Sequence, residues 1–244
     1  MLSRERYDII LNLLKSKEIV KMKEFVETLN ISESTIRRDL SYLEEHRLLK
    51  RVHGGATLPE NSYEADFNTK NIQNKFEKDK IGETASKIVL DGECIFIDAG
   101  TTTERMIKYL QGKNVTVVTN GVTHIPELMK YSIRAYLTGG RIKNTTGALV
   151  GVETIESLKK YNFNKCFIGV NGIDLKTGYT TPDIEEAEIK REVIKKSQKS
   201  YILADYKKFG KTSFVSFGKL EDSTIITDRL PAEEYRKQTK IKEC

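Results

Sequence analysis

The first 58 residues carry one apolar pattern three times. From Arg4 to about Lys15, Ile9, Ile10, Leu13 and Leu14 recur at helical spacing. Lys17-Glu18 is a polar break. From Lys21 to Leu29, Met22, Phe25, Val26 and Leu29 predict a second, shorter amphipathic helix, and Asn30 suits the left-handed position that ends one. A third helix starts at Ser32, whose hydroxyl can cap the first free backbone N–H groups. Its apolar face is Ile36, Leu40 and Leu43, at i, i+4 and i+7. Only Asn30 and Ile31 separate the second helix from that cap, so the two helices meet in a tight turn. That arrangement is a helix-turn-helix. Leu48, Leu49 and Val52 then suggest a strand, and Gly54-Gly55 a hairpin turn.

The pattern changes twice more. Residues 59–74 are polar and hold no period, with Tyr63 and Phe67 as the main apolar anchors; they read as a linker. From residue 75 to 244 helix and strand patterns alternate. Helices are expected around Ile81–Val89, Thr102–Leu110, Ile125–Met129, Ile155–Leu158 and Glu185–Lys196. Strands are expected at 94–97, 115–118, 135–137, 166–170 and 201–204. This alternation predicts a mostly parallel sheet with helices on both faces. The chain therefore divides into a winged helix-turn-helix at 1–58, a linker at 59–74 and an α/β domain at 75–244.

The third helix has chemistry on its outer side. With the apolar face buried, Ser34, Arg38 and Ser41 point away, and Thr35 and Arg37 lie on the flanks. Arginine bonds bidentately to guanine edges, and hydroxyls reach bases or phosphates. Lys50, Arg51 and His53 would sit on a small β-wing beside it, placed for phosphate contact. Arginine pairs on surface helices are common, so these residues alone leave a plain solvated face open. The net charge of +6 and pI near 9.0 favour an acidic partner. Residues 1–58 hold 11 Lys and Arg against 9 Asp and Glu, a net of only +2. Placement on one helix and its wing, not bulk charge, carries the case for double-stranded DNA.

In parallel α/β sheets, ligands bind beyond the carboxyl ends of the strands. Here several strands end in small and hydroxylated residues. Asp98, Gly100, Thr101, Thr102 and Thr103 form a turn dense in hydroxyls, more than one helix cap needs. Thr119, Asn120 and Gly121 follow the next strand; Gly140 lies in a Gly-Gly pair, and Asn171-Gly172 follows a further strand. Each of these alone is ordinary turn chemistry. Asp205 and Lys208 could hold a hydroxyl and a phosphate together. Cys94, Cys166 and Cys244 are far apart, and His46, His53 and His124 make no cluster, so no metal site and no cofactor is expected. No apolar run approaches a membrane span and the N-terminus is charged, so a cytoplasmic protein without a membrane partner is expected.

Arg6, Ile10, Leu14, Ser32, Thr35, Ile36, Arg37, Arg38, Asp39 and Leu40 fall at the spacing of the DeoR-type helix-turn-helix signature, and Leu49-Lys-Arg-Val-His-Gly-Gly-Ala56 resembles the run that follows it. The strand-end loops resemble those of the DeoR effector domain. The matching runs are Asp98–Thr103, Thr119–Gly121, Gly139-Gly140, Asn171-Gly172, Gly178–Asp183 and Asp205–Gly210. The resemblance covers nearly the whole chain. It implies a winged helix-turn-helix repressor with a sugar-phosphate-isomerase-like α/β effector domain, a phosphorylated-sugar effector and a homo-oligomer, dimer or tetramer. Within the family, Ser32–Ser41, Val118–Val122 with His124-Ile125, and Thr146–Gly151 resemble fructose-operon repressors of low-GC Gram-positive bacteria. That likeness implies control of a fructose operon and release from the operator by fructose 1-phosphate. Asp39 is expected to orient an arginine or a backbone group. The rival reading is a sugar-phosphate isomerase with an accessory DNA-binding domain. It needs a carboxylate base at a substrate carbon, and Asp98, Asp205, Glu185 and Glu186 are the available acids. An attached DNA-reading domain argues for a sensor, not an enzyme.

Overall fold

The computed structural model describes residues 3–17, 19–46, 48–58 and 67–244; for Arg4, Lys15, Ser16 and Thr69 it gives the backbone alone. The chain separates into two compact units, Met1–Thr69 and Lys70–Cys244.

In the first unit, the apolar stripes form α1 (Ser3–Ser16), α2 (Met22–Leu29) and α3 (Glu33–Glu45). Ile10, Leu14, Phe25, Leu29, Ile36, Leu40 and Leu43 close one small core between them. Asn30 takes the left-handed conformation (φ 51°) that ends α2. Ser32 caps α3, its hydroxyl accepting from the Thr35 N–H at 3.3 Å. The wing has three strands: β1 (Val20–Lys21), β2 (Lys50–Val52) and β3 (Gly55–Thr57), in the order β1-β3-β2. The pairing Val52↔Gly55 makes His53-Gly54 the turn, one residue earlier than Gly54-Gly55. Gly54 supplies the positive φ (78°). Gly55 is instead needed in the strand, because a Cβ there would lie 2.1 Å from the Val20 carbonyl oxygen of β1. The short β1 carries too few residues to show a period, which is why the sequence gives no hint of it.

Of the expected linker, residues 59–66 and the anchor Tyr63 lie outside the described residues. The rest is not irregular. Phe67–Ile72 forms α4, and the boundary between the two units falls within it, between Thr69 and Lys70.

The second unit begins with α5 (Lys75–Ser86) and β4 (Cys94–Ile97). Then come α6 (Thr101–Glu104), β5 (Thr116–Thr119), α7 (Ile125–Lys130), β6 (Arg134–Leu137), β7 (Arg141–Lys143), β8 (Ala148–Val150), α8 (Val152–Leu158) and β9 (Phe163–Gly169). After β10 (Gly172–Asp174) and β11 (Gly178–Thr181) follow α9 (Ile184–Lys195), β12 (Ser197–Leu203), β13 (Val215–Gly218), β14 (Thr224–Thr227) and β15 (Ile241–Glu243). Seven strands make one parallel sheet in the order β15-β14-β12-β9-β4-β5-β6. In β4, Phe96 packs into one core cluster with Ile168, Ile202 and α9, while Ile95 and Ile97 pack into the other with Ile81 and Ala85 of α5. Burial on both faces is why these strands read as continuous apolar runs.

Two expectations change. Thr102–Leu110 is not one helix: α6 stops at Glu104 and a separate 3₁₀ turn spans Ile107–Leu110. Strands β14 and β15 were not expected; the first is a short Thr-Ile-Ile-Thr run and the second a mostly exposed edge, so neither carries a strong apolar signal.

Sheet order places the site. The first strand of this sheet, β4, is an interior one; the chain runs outward through β5 and β6, then returns to the other side of β4 as β9, the middle strand. Strand order reverses between β4 and β9, and in such sheets the crevice beyond the carboxyl ends at that point receives ligands.

Candidate functional site

On α3, Ser34, Arg37 and Arg38 are exposed and Thr35 and Ser41 half-buried; Lys50, Arg51 and His53 of the wing are exposed. These groups are not equivalent. Arg37 is held by Glu33 one turn earlier, Nε to Oε1 at 2.9 Å. Arg51 joins the wing to α3, donating to the Ser41 hydroxyl at 2.7 Å, while its backbone N–H donates to Glu44 Oε1. Ser41 also donates to the Arg37 carbonyl, so it braces the pair. Arg38 makes no hydrogen bond or ion pair among the described residues. Asp39 is buried and receives a two-point bond from Arg6, Nε to Oδ2 at 2.7 Å and Nη2 to Oδ1 at 2.9 Å. The arginine that Asp39 orients is thus Arg6 of α1, and the bond ties α1 to α3.

At the switch point, Asp98 follows β4 and is 2 % exposed. Its Oδ2 accepts from the Gly169 N–H at 3.0 Å and from Lys190 Nζ of α9. Lys190 also donates to the Gly169 carbonyl at 3.1 Å. Burial pushes the Asp98 carboxyl up from its ordinary range, against the pull of Lys190. Asp98 therefore bridges β4 to β9 at the floor of the crevice. Next to it, Thr103 spends its hydroxyl on the Asp98 and Gly100 carbonyls at 2.6 and 2.9 Å. Thr101 accepts from Lys78 Nζ of α5 at 2.9 Å. Thr102 makes no side-chain hydrogen bond among the described residues. Two of the three hydroxyls are thus engaged, one by a lysine and one by the turn itself.

The loop after β5 lies against this turn. Asn120 Oδ1 accepts from the Ala99 N–H at 2.9 Å, and Nδ2 donates to the Leu149 carbonyl. Thr119 Oγ1 accepts from the Gly121 N–H and pairs with His124 Nδ1 at 3.0 Å. A Cβ on Gly121 would sit 2.9 Å from the His124 ring. His124 is fully buried, and burial pushes its pKa down to about 4, so it is neutral near pH 7. The unfolded chain binds this proton at a higher pH than the folded one. Stability from this group is complete above pH 6.5 and falls as the pH drops toward 4, by about 3 kcal/mol. His124→Gln should flatten that stretch of a stability–pH curve measured by urea unfolding; an unchanged slope would assign it to other groups.

Gly140 (φ 127°) faces Thr154 of α8, and Gly172 packs against the Lys211 backbone. These two and Asn120 shape the loops. Asn171 meets a second polar group: its Oδ1 lies 3.3 Å from the Thr181 hydroxyl, which also reaches Glu186 Oε2 at 3.2 Å. Glu186 Oε1 accepts from Lys143 Nζ at 3.0 Å and from Thr146 at 3.1 Å.

The last loop carries Asp205 and Lys208. Asp205 is 1 % exposed; Oδ1 accepts from the Lys207 N–H, while Oδ2 is buried without a hydrogen-bond partner. Both residues act on Lys78. Burial first, then the neighbouring charge of Lys208, push the Lys78 ammonium down to about 8, Asp205 opposes this, and Lys70 and Arg105 add to it. The buried ammonium thus bonds the Thr101 hydroxyl and the Lys70 carbonyl, and the charges of Asp205, Lys208 and Arg105 act on it without direct contact among the described residues. A separate depression of about 680 Å³, lined by Lys159, Glu192, Lys195 and Gln198, contains none of these groups.

Lys78 and Lys190 escaped the sequence reading, and Glu186 entered it only as an available acid for an isomerase. The signal was there: each is a charge set in the apolar stripe of its helix, Lys78 with Ile81 and Ala85, and Glu186 and Lys190 with Ala187, Ile189 and Val193. A charge there must find a buried partner. Among the described residues no group of acids, histidines or cysteines could hold a metal ion, and no helix is long and apolar enough to cross a membrane.

Residues 6–62 match the DeoR-like helix-turn-helix domain and residues 73–229 the DeoR C terminal sensor domain. The uncharacterized HTH-type transcriptional regulator FruR of Bacillus subtilis is 43% identical over 247 residues, 99% of this chain and 98% of that protein. The HTH-type transcriptional repressor GlcR of the same organism is 35% identical, covering 96% of this chain and 92% of its own. The glycerol-3-phosphate regulon repressor of Escherichia coli is 31% identical, covering 95% and 93%. Among solved structures, ribose 5-phosphate isomerase A from Methanocaldococcus jannaschii is 18% identical over 56% of this chain and 55% of its own, with a TM-score of 0.43.

Proposed function

This chain belongs to the DeoR family of helix-turn-helix regulators, and on that premise we propose that it represses a sugar-catabolic operon and is released by a phosphorylated sugar. The observation that carries the reading is the buried Lys78 ammonium, bonded to Thr101 of the hydroxyl-rich turn after β4 and under the charges of Lys208 and Asp205 from the last loop. An incompletely compensated cation at the end of parallel strands is an anion seat, and the unpaired Asp205 Oδ2 beside it suits a sugar hydroxyl. The likeness of Ser32–Ser41, Val118–Val122 with His124-Ile125, and Thr146–Gly151 to fructose-operon repressors favours fructose 1-phosphate as the effector and a fructose operon as the target. Asp98 closes the floor of the crevice, its carboxylate tying β4 to Gly169 and Lys190 while its carbonyl accepts from Thr103 of the turn.

In the first unit, Ser34, Thr35 and Arg38 read the major groove. Arg37, Ser41, Lys50, Arg51 and His53 supply backbone contacts and brace the wing. A dimer, or a tetramer of two dimers, presents paired helices to half-sites about 34 Å apart. The chain works as a cytoplasmic sensor, not an enzyme. Asp98 and Glu186 are each held by a lysine, Lys190 and Lys143, which lowers their value as general bases.

The test is an operator-shift assay on the chain's own upstream region with a panel of sugar phosphates. Fructose 1-phosphate should release the DNA at lower concentration than fructose or inorganic phosphate. Lys208→Ala should keep operator affinity and lose the response, with the half-effective concentration rising at least tenfold. Turnover of a sugar phosphate with no effect on DNA would overturn the reading in favour of an isomerase.

A further inference from the structure

Helix α4 ends on the same cations that surround the anion seat. It is six residues long, and its last carbonyls have no partner within the helix. Lys78 Nζ donates to the Lys70 carbonyl. Arg105 Nη2 donates to both the Asn71 carbonyl, at 3.3 Å, and the Asn71 side-chain oxygen. The negative end of α4 therefore rests on two positive groups. One of them, Lys78, also holds the Thr101 hydroxyl, and the other follows α6 directly. Arg105 Nε is buried with no hydrogen-bond partner, so this guanidinium is not fully satisfied by α4. The boundary between the two compact units lies one residue before the carbonyl that Lys78 holds.

We propose that α4 and the bound anion compete for Lys78 and Arg105, so that α4 reports occupancy of the sugar-phosphate site along the chain to the DNA-binding unit. This rests on the seat proposed above. A phosphate dianion on Lys78 lies beside the carbonyls of Lys70 and Asn71, which carry partial negative charge. It satisfies the ammonium better than a neutral carbonyl does, and it repels the end of α4. Sugar phosphate thus loosens α4. The coupling is reciprocal: whatever holds α4 in place weakens sugar-phosphate binding by the same factor. Lys78 is then an anion ligand and the latch of α4 at once, which explains why a lysine stands in the apolar stripe of α5.

Hydrogen exchange on the full chain tests this, with fructose 1-phosphate binding followed in parallel by calorimetry. Saturating fructose 1-phosphate should speed exchange of the amides in 70–74 by about tenfold or more, while those of β4 and β9 slow. Asn71→Ala, which removes one acceptor from Arg105 and touches no ligand group, should raise fructose 1-phosphate affinity about twofold to tenfold. The same variant should bring the ratio of operator affinities without and with fructose 1-phosphate closer to one. Binding with unchanged or slowed exchange at 70–74, or an Asn71→Ala protein with wild-type coupling, overturns the competition and leaves the seat standing. Absence of calorimetric binding of every sugar phosphate in the panel overturns the seat and the competition together.

Discussion

Arg38→Ala is expected to abolish specific operator binding and leave the rest of the protein unchanged. Arg38 is exposed on α3 and makes no hydrogen bond or ion pair among the described residues, so its removal leaves no buried group unpaired. Unfolding free energy should therefore stay within about 0.5 kcal/mol of the parent. An arginine bidentate to guanine is worth about 1–3 kcal/mol of discrimination, and a dimer uses it twice. The loss of specific affinity is then on the order of 30-fold to 10⁴-fold, measured by fluorescence anisotropy at one fixed salt concentration. Calorimetric binding of sugar phosphate should not change. Arg37→Ala provides the contrast. Its guanidinium is already held by Glu33, so it should weaken binding less and alike for all sequences. Wild-type operator affinity in Arg38→Ala would mean that α3 does not read DNA through this face.

The second large effect is on stability. Asp98→Ala leaves the Lys190 ammonium, itself 5 % exposed, without its counter-charge, and takes an acceptor from the Gly169 N–H. Breaking one side of a buried ion pair costs about 3–5 kcal/mol. That is a large share of the roughly 5–15 kcal/mol that holds a typical domain together. The second unit should unfold at much lower urea concentration, and sugar-phosphate response should fall with it because the carboxylate link from β4 to β9 and α9 beneath the turn is lost. Asp98→Ala with Lys190→Met should recover part of the loss, since the lone buried charge is then gone. If Asp98→Ala costs under about 1 kcal/mol yet eliminates sugar-phosphate binding, Asp98 touches the ligand and is not a structural bridge.

These two residues illustrate what sequence reading reaches. Arg38 is legible because its orientation depends only on helical period: once Ile36, Leu40 and Leu43 face the core, Arg38 faces out. Asp98 is legible as a residue at a strand end, but its task is not. Its partner, Lys190, comes from a helix 92 residues further along the chain and arrives only because β9 returns to the side of β4. The three threonines show the same limit. Their spacing marks a hydroxyl-rich turn, yet one bonds Lys78, one bonds the turn itself, and Thr102 bonds nothing among the described residues. Likewise Gly54-Gly55 marks a turn, and only the approach of β1 shows which glycine the turn uses.

By itself the sequence determined the two-part plan, the helix-turn-helix with its outward arginine, the parallel α/β class and the hydroxyl-rich turns at the strand ends. All of these follow from local periods and local turn chemistry, which act within a few residues. The tertiary structure alone decided that α4 stands within the expected linker, that Asp98 and Glu186 are engaged by lysines, and that Lys78 bonds both the Thr101 hydroxyl and the Lys70 carbonyl. Those outcomes depend on sheet order and on the cost of burying charge, which pairs groups by distance in space and not by distance along the chain. A lysine within an apolar stripe announces that it needs a partner; only the fold says which one.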